Sequence, residues 1–418
     1  NHPNASDDNP GTEELPWKTI QKAAQTLQAG DVVLVKGGNY SVTGTDTRYL
    51  PALNPANSGT QEAPIIFKAY PGEEVTITEI GRGPLIGSYQ RDYIIWDGFK
   101  IIEAAENYHA DTGPVVIWRS TGCVIKNCEI QGGYVEGNLD NHSGIRMELA
   151  ENVLIKNCII YGFYESHSAF GIKSYCAKNV TIENCEIYNC HGGVQPKGNL
   201  QTFESENWKV RYNIIHDCEH AFSGSVSHTT EQGWARNIEF YQNICYNLRI
   251  GVKPKLQNKN LKIYNNVFYN VSHLAVNHAT DGCEFAVFNN IFMNVETSMT
   301  GEWYEPYTVL YFDHNCYAPE SPEPKFFYRL NFSQWQALGY DANSFISDPL
   351  FVNPEAHDFH LRPNSLCLNA GIDRQDYDGD GNTTEPINMG CYITGNEIIG
   401  PILNQGPQVS NESPARNA

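Results

Sequence analysis

One nine-residue pattern returns seven times between Cys123 and Phe292, and it limits the fold more than any other feature of the chain. Cys128, Cys158, Cys185, Asn213, Asn243, Asn266 and Asn290 stand at equivalent positions, separated by 30, 27, 28, 30, 23 and 24 residues. Two residues after each comes Ile130, Ile160, Ile187, Ile215, Cys245, Phe268 or Phe292. Three before each stands Ile125, Ile155, Ile182, Val210, Phe240, Ile263 or Val287. The columns are chemically uniform while the stretches between them vary in length. That is the signature of a solenoid, in which coils stack like on like and loops bulge outward.

Within each repeat apolar residues alternate, as in Val153, Ile155, Cys158 and Ile160, which suits strands. Asn127, Asn157 and Asn184, with the later Asn column, would hydrogen-bond to their copies on neighbouring coils at tight turns. Two further turns fit: Ile94, Asp97 and Phe99 before the array, and Phe312, Asn315 and Tyr317 after it. The expected fold is all-β, a single right-handed parallel β-helix, with handedness from the rule for parallel crossovers. Residues 1–30 would form a cap carrying an amphipathic helix, with Trp17, Ile20, Ala24 and Leu27 on one face and a stop at Gly30. Residues 31–320 would be the solenoid and residues 321–418 an irregular C-terminal cap.

Twelve cysteines raise the question of disulfides or metal. Cys128, Cys158 and Cys185 share one column, and Cys190 and Cys218 another with Phe163, Leu248, Val271 and Val295, the habit of buried free thiols. No CxxC pair is present, so zinc ligation is not expected. Asp376, Asp378 and Asp380, with Gly381 and Asn382, resemble the first half of a calcium loop, though Ile387 holds the place of the closing Glu. Eight Asn-X-Ser/Thr sequons, Asn141 among them, are read as a consequence of composition.

No run of about eighteen apolar residues occurs. The start at Asn1-His2-Pro3 reads as a processed end, and the net charge of −20 argues against a nucleic-acid partner. A monomer, secreted or held in the periplasm or at the cell surface of a bacterium, is the expectation. Charge is unevenly spread: residues 141–280 hold 13 Lys and Arg against 11 Asp and Glu, and the remainder 15 against 37.

That charge falls on one expected outward file, Arg146, Lys173, Gln195, Ser223, Lys253 and Asn277. A second file two residues on holds Glu148, Tyr175, Lys197, Ser225, Lys255 and Ala279. Loops carrying His142, His167, His191, His228 and Trp234 would flank them. An extended basic strip suits an anionic polysaccharide. On a uronan, β-elimination needs a base, a cation on the carboxylate and an acid for the leaving oxygen. Lys173 is the expected base and Tyr175 the proton donor, with Arg146, Lys197 and Lys253 facing the carboxylate. Lys255, Gln195, Glu148, His191, His228, Asn277 and Trp234 complete the expected substrate contacts. A hydrolase would need paired carboxylates, drawn from Glu148, Glu165, Asp217, Glu219, Glu231 and Asp281. A non-catalytic glycan binder would use Tyr134, Tyr161, Tyr164 and Trp234.

Gly171-Ile172-Lys173-Ser174, followed one coil later by Gly193-Val194-Gln195-Pro196-Lys197-Gly198-Asn199, resembles polysaccharide lyase family six. The resemblance implies Lys173 as base and Lys197 where that family has arginine. The opening Asn9-Pro10-Gly11-Thr12 and Ala29-Gly30-Asp31 are similar to secreted bacterial β-helix proteins, family nine pectate lyases included. Family six often holds calcium on paired Glu residues before its Lys-Ser motif, where this chain has His167-Ser168-Ala169-Phe170. The aspartate cluster of family nine is also missing near Lys173. Groove calcium would therefore rest on Glu136, Asp140 and Glu148.

Overall fold

The computed structural model describes residues 2–103, 111–133, 141–164, 168–198, 204–226, 235–254, 258–276, 283–295, 298–300, 308–320, 325–326 and 330–402. The alternating apolar runs form two long parallel sheets. One has eleven strands, from Val32–Val35 to Thr308–Asp313, each paired with the strand one coil on. The second, of eighteen strands, bends round the coil, so that successive stretches of each turn belong to it. The architecture is a right-handed parallel β-helix.

The repeat columns are the register. Ile125, Ile155, Ile182, Val210, Phe240, Ile263, Val287 and Phe312 pair rung to rung in the eleven-stranded sheet. Ile130, Ile160, Ile187, Ile215, Cys245, Phe268, Phe292 and Tyr317 do so in the other. Nearly all these side chains are buried in one continuous core. All twelve cysteines are free and buried.

The polar column between the sheets is a hydrogen-bonded ladder. Asn213, Asn243, Asn266 and Asn290 each donate Nδ2 to the Oδ1 of the next Asn at 3.0–3.2 Å, ending on Asn315. The same Oδ1 atoms accept backbone N–H groups, as Asn243 N to Asn266 Oδ1 at 3.0 Å. Five buried carboxamides are thereby satisfied without water, which is what makes them tolerable inside. Exposed turns carry a second ladder, Asn152–Asn179–Asn207–Asn237–Asn260. Every member has φ of 52–57°, a left-handed conformation Asn accepts at small cost.

Two expectations are corrected. The N-terminal helix is shorter, Ile20–Thr26, because the Thr19 hydroxyl accepts from Lys22 N and fixes the start there. Trp17 lies before it, its indole donating to Asn9 O at 2.8 Å. Ile20, Ala23, Ala24 and Leu27 still close the end of the core. The turn before the array is Trp96, Phe99 and Ile101, since Trp96 pairs with Ile125 and Ile101 with Ile130. The expected Ile94, Asp97 and Phe99 lie two residues off, a slip that alternation cannot detect because it leaves every side chain on its own face.

Beyond Ala318 the chain adds one strand, Phe345–Ile346, to the second sheet and then leaves the coil. Phe351–Asn353 and Asp358–Leu361 pair antiparallel, and the segment onward to Ile402 packs back along the outside. None of the described helices is long and apolar enough to cross a membrane.

Candidate active site

The strands Ser143–Glu148, Phe170–Tyr175 and Gly192–Gln195 lie side by side, with Arg146 opposite Lys173 and Lys173 opposite Gln195. Gly144 and Gly171 lie within the first two of these strands. A Cβ there would meet Ile160 Cγ2 at 2.6 Å or Ile187 Cγ2 at 2.3 Å, so only glycine lets the strands run this close over the core.

A compact polar cluster is built on these rungs. Lys173 Nζ donates to Asn141 Oδ1 at 2.6 Å and to Ser168 O at 3.1 Å. The Tyr175 hydroxyl donates to the same Asn141 Oδ1 at 3.2 Å and accepts from Lys197 Nζ at 2.8 Å. Arg146 Cζ lies 4.1 Å and Lys197 Nζ 4.6 Å from the Tyr175 ring centre. Three cationic groups and one phenol are thus gathered around a single carboxamide, and the phenol oxygen has a proton to give on one side and a cation on the other.

Among the described residues the files run as expected, but their exposure does not. Arg146, Lys173 and Gln195 are 2%, 1% and 5% exposed, and Ser223 is buried too. Outward direction on a sheet gives exposure only where nothing lies over it. Arg146 is also committed: its Nε and Nη2 both bond Glu148 Oε1, at 3.1 and 2.6 Å, and its Nη1 bonds Asn141 O. Arg146 thus lies over the Tyr175 ring with Glu148 as its counter-ion. Tyr175 and Lys197, both partly exposed, form the accessible edge.

Lys253, at the end of the strand Ile244–Lys253, lies opposite Ser223 further along the file and is partly exposed. Burial lowers its pKa, opposed by Glu219 and assisted by Arg249. His191 packs edge-on against Phe170 and His220. His142 is buried behind the cluster, 2.8 Å from Glu103. Much of the remaining positive charge is tied up in cross-rung pairs, such as Lys156 and Arg211 on Glu183, and Arg249 on Glu219. Asp217 is held by His216 and Asn247, so three of the hydrolase candidates, Glu148, Asp217 and Glu219, have structural work. Glu136, Asp140, Tyr134, Glu165, His167, His228, Glu231, Trp234, Lys255, Asn277, Ala279 and Asp281 lie outside the described residues.

Of the loop aspartates, Asp376 and Asp378 come together with Asp373, not with Asp380. The Asp380 carboxylate instead accepts Asn382 N at 2.7 Å. The residue most plainly missed from sequence is Asn141, which belongs to no repeat column. Its place comes from a left-handed turn (φ 63°) that brings its side chain over the next coil.

The chain's relatives bear on this geometry. The family described as "Pel9A-like, right handed beta helix region" matches residues 1–220. The uncharacterized protein YwoF of Bacillus subtilis (strain 168) is 30% identical over 138 residues, 31% of this chain and 28% of that protein. Pectate lyase PEL9 of Emericella nidulans is 36% identical over 75 residues, 18% of this chain and 17% of that protein. The chain thus aligns with under a third of either protein's length. The crystal structure of pectate lyase Pel9A superposes with a TM-score of 0.57 at 13% identity, over 93% of this chain and 94% of that one, a likeness of fold. The match falls on the family-nine side of the two resemblances, and nothing in it speaks for family six. With the family match extending over residues 1–220 of 418, the chain belongs to the Pel9A-like right-handed β-helix family.

Proposed function

We propose that the protein is a polysaccharide lyase that cleaves a uronic-acid-containing chain by β-elimination, acting outside the bacterial cytoplasm. The observation that carries this reading is the Lys173–Asn141–Tyr175–Lys197 cluster, a base and an acid bridged by one carboxamide oxygen, with a cation bonded to the acid. Family membership and the similarity to a pectate lyase over 75 residues support it.

Lys173 takes the proton on the carbon beside the uronate carboxylate, breaking that C–H bond. The electron pair passes into the carboxylate-stabilised enolate and then forms a ring double bond as the bond to the glycosidic oxygen breaks. Tyr175 delivers a proton to that oxygen. Lys197 stands where negative charge gathers on the carboxylate. Lys173 is 1% exposed, with Arg146 on the adjoining rung. In this arrangement Lys173 is covered and its Nζ bonds Asn141 and Ser168, so these contacts give way before Nζ meets a sugar carbon.

The test is ultraviolet absorbance over time with pectate, alginate, chondroitin, dermatan and rhamnogalacturonan, each with and without chelator. Elimination leaves an absorbing unsaturated uronate; hydrolysis leaves new reducing ends without it. Binding with neither product would identify a glycan-binding solenoid.

A further inference from the structure

We infer that Asp373, Asp376 and Asp378 form a calcium site that clamps the C-terminal segment onto the coil, independently of the catalytic reading above. Each offers one carboxylate oxygen, and the three lie within 4.8 Å of one another. Oxygens on one Ca²⁺ sit at about 2.3–2.6 Å, hence no more than about 5.2 Å apart. The present spread falls inside that limit without rearrangement.

The second observation is an unpartnered atom. Asp373 is only 4% exposed, and its Oδ2 is buried with no hydrogen-bond partner. Its Oδ1 is spent on Gln375 N and Tyr377 N, at 3.3 and 3.0 Å. A buried carboxylate oxygen left bare is costly, and a hard cation shared with Asp376 and Asp378 would remove that cost. Neighbouring cationic charge is directed elsewhere: the Arg374 guanidinium lies 3.6 Å over the Tyr311 ring. Asp376 and Asp378 are partly exposed, which gives the ion a way in. Calcium, with its tolerance of irregular oxygen cages, suits a loop of this kind better than magnesium.

The consequence is structural. Gly371 and Ile387 bridge the ends of this loop, and Ile372 exchanges two hydrogen bonds with Asn289 at 2.8–2.9 Å. Between them Tyr377 lies against Tyr264 and Phe288, whose rings stack on the outer face of the eleven-stranded sheet. Three carboxylates repel each other in the absence of an ion, so calcium would hold Tyr377 on that aromatic surface.

Calorimetric titration of the 418-residue protein with CaCl₂, paired with thermal unfolding in EGTA and in calcium, tests this. The expected result is one site of Kd about 10⁻³ M or tighter, and a Tm raised by at least about 2 °C in calcium. Both are lost in Asp376→Asn and in Asp378→Asn, which are exposed enough to fold normally. MgCl₂ should give a smaller shift. An absent calcium shift, or one that survives in both variants, would overturn the site.

Discussion

The Lys197 ammonium donates to the Tyr175 hydroxyl at 2.8 Å, although the two residues are on successive coils and 22 positions apart. The Tyr175 oxygen in turn donates to Asn141, and the Arg146 guanidinium lies over its ring. This phenol is the accessible centre of the cluster. Removing its oxygen by Tyr175→Phe leaves the ring and its packing in place. Turnover should fall by about 10²–10⁴-fold, the usual worth of a positioned acid, while thermal unfolding barely moves. Initial rates on whichever polysaccharide of the panel the unaltered protein cleaves, with calorimetry on the same preparation, check both halves.

Asn141 gives a prediction of opposite character. It accepts from both Lys173 and Tyr175, so Asn141→Ala should uncover the lysine and loosen the phenol together. A residue that only props the fold would cost stability and leave the pH dependence alone. If Asn141 positions the base, the acidic limb of the kcat/KM–pH profile should shift, and Asn141→Asp should shift it upward, because a carboxylate favours the charged lysine.

The Asn ladder explains why the solenoid can hold carboxamides inside. Asn266 Oδ1 accepts both N and Nδ2 of Asn243, and Asn266 Nδ2 donates to Phe240 O and Tyr264 O. Asn266→Leu would strand two buried donors and two carbonyls. At about 1–3 kcal/mol for a buried group left unsatisfied, a loss of several kcal/mol is expected by denaturant unfolding. The exposed ladder provides the control: Asn207→Ala should cost about 1 kcal/mol or less.

How much of this was legible beforehand follows from which interactions repeat. Ile155, Cys158 and Ile160 recur because each coil must place the same shape on the last, so the columns gave register directly. Lys173 beside Arg146 and Gln195 followed from the same register. Period alone could not separate Ile94 from Trp96, since a slip of two keeps the faces. Nor could it show that Arg146 is committed to Glu148, because both point outward and reach along the strand only through their rotamers. Asn141 and Asp373 lie outside the stacked apolar and Asn columns, so no column announces them.

The buried Asp341 carboxylate makes stability fall as pH rises. It accepts from Trp335 Nε1 at 2.7 Å, Tyr317 Oη at 2.8 Å and Asn315 Nδ2 at 3.0 Å. Burial nevertheless raises its pKa to about 6 from 3.8. Between those values the folded state binds more protons than the unfolded one. Its contribution is therefore complete below about pH 4 and is lost as pH climbs through 6, on the order of 3 kcal/mol in all. Denaturant midpoints from pH 4 to 7 should show this slope, and Asp341→Asn should flatten it.

The measurement that bears most directly on the function is the ultraviolet progress curve of the unaltered protein against Lys173→Ala on the uronan panel. A rising absorbance in the first and none in the second, with both proteins folded by circular dichroism, is the predicted result. Undiminished absorbance in Lys173→Ala, or new reducing ends without absorbance, would contradict elimination by a Lys173 base.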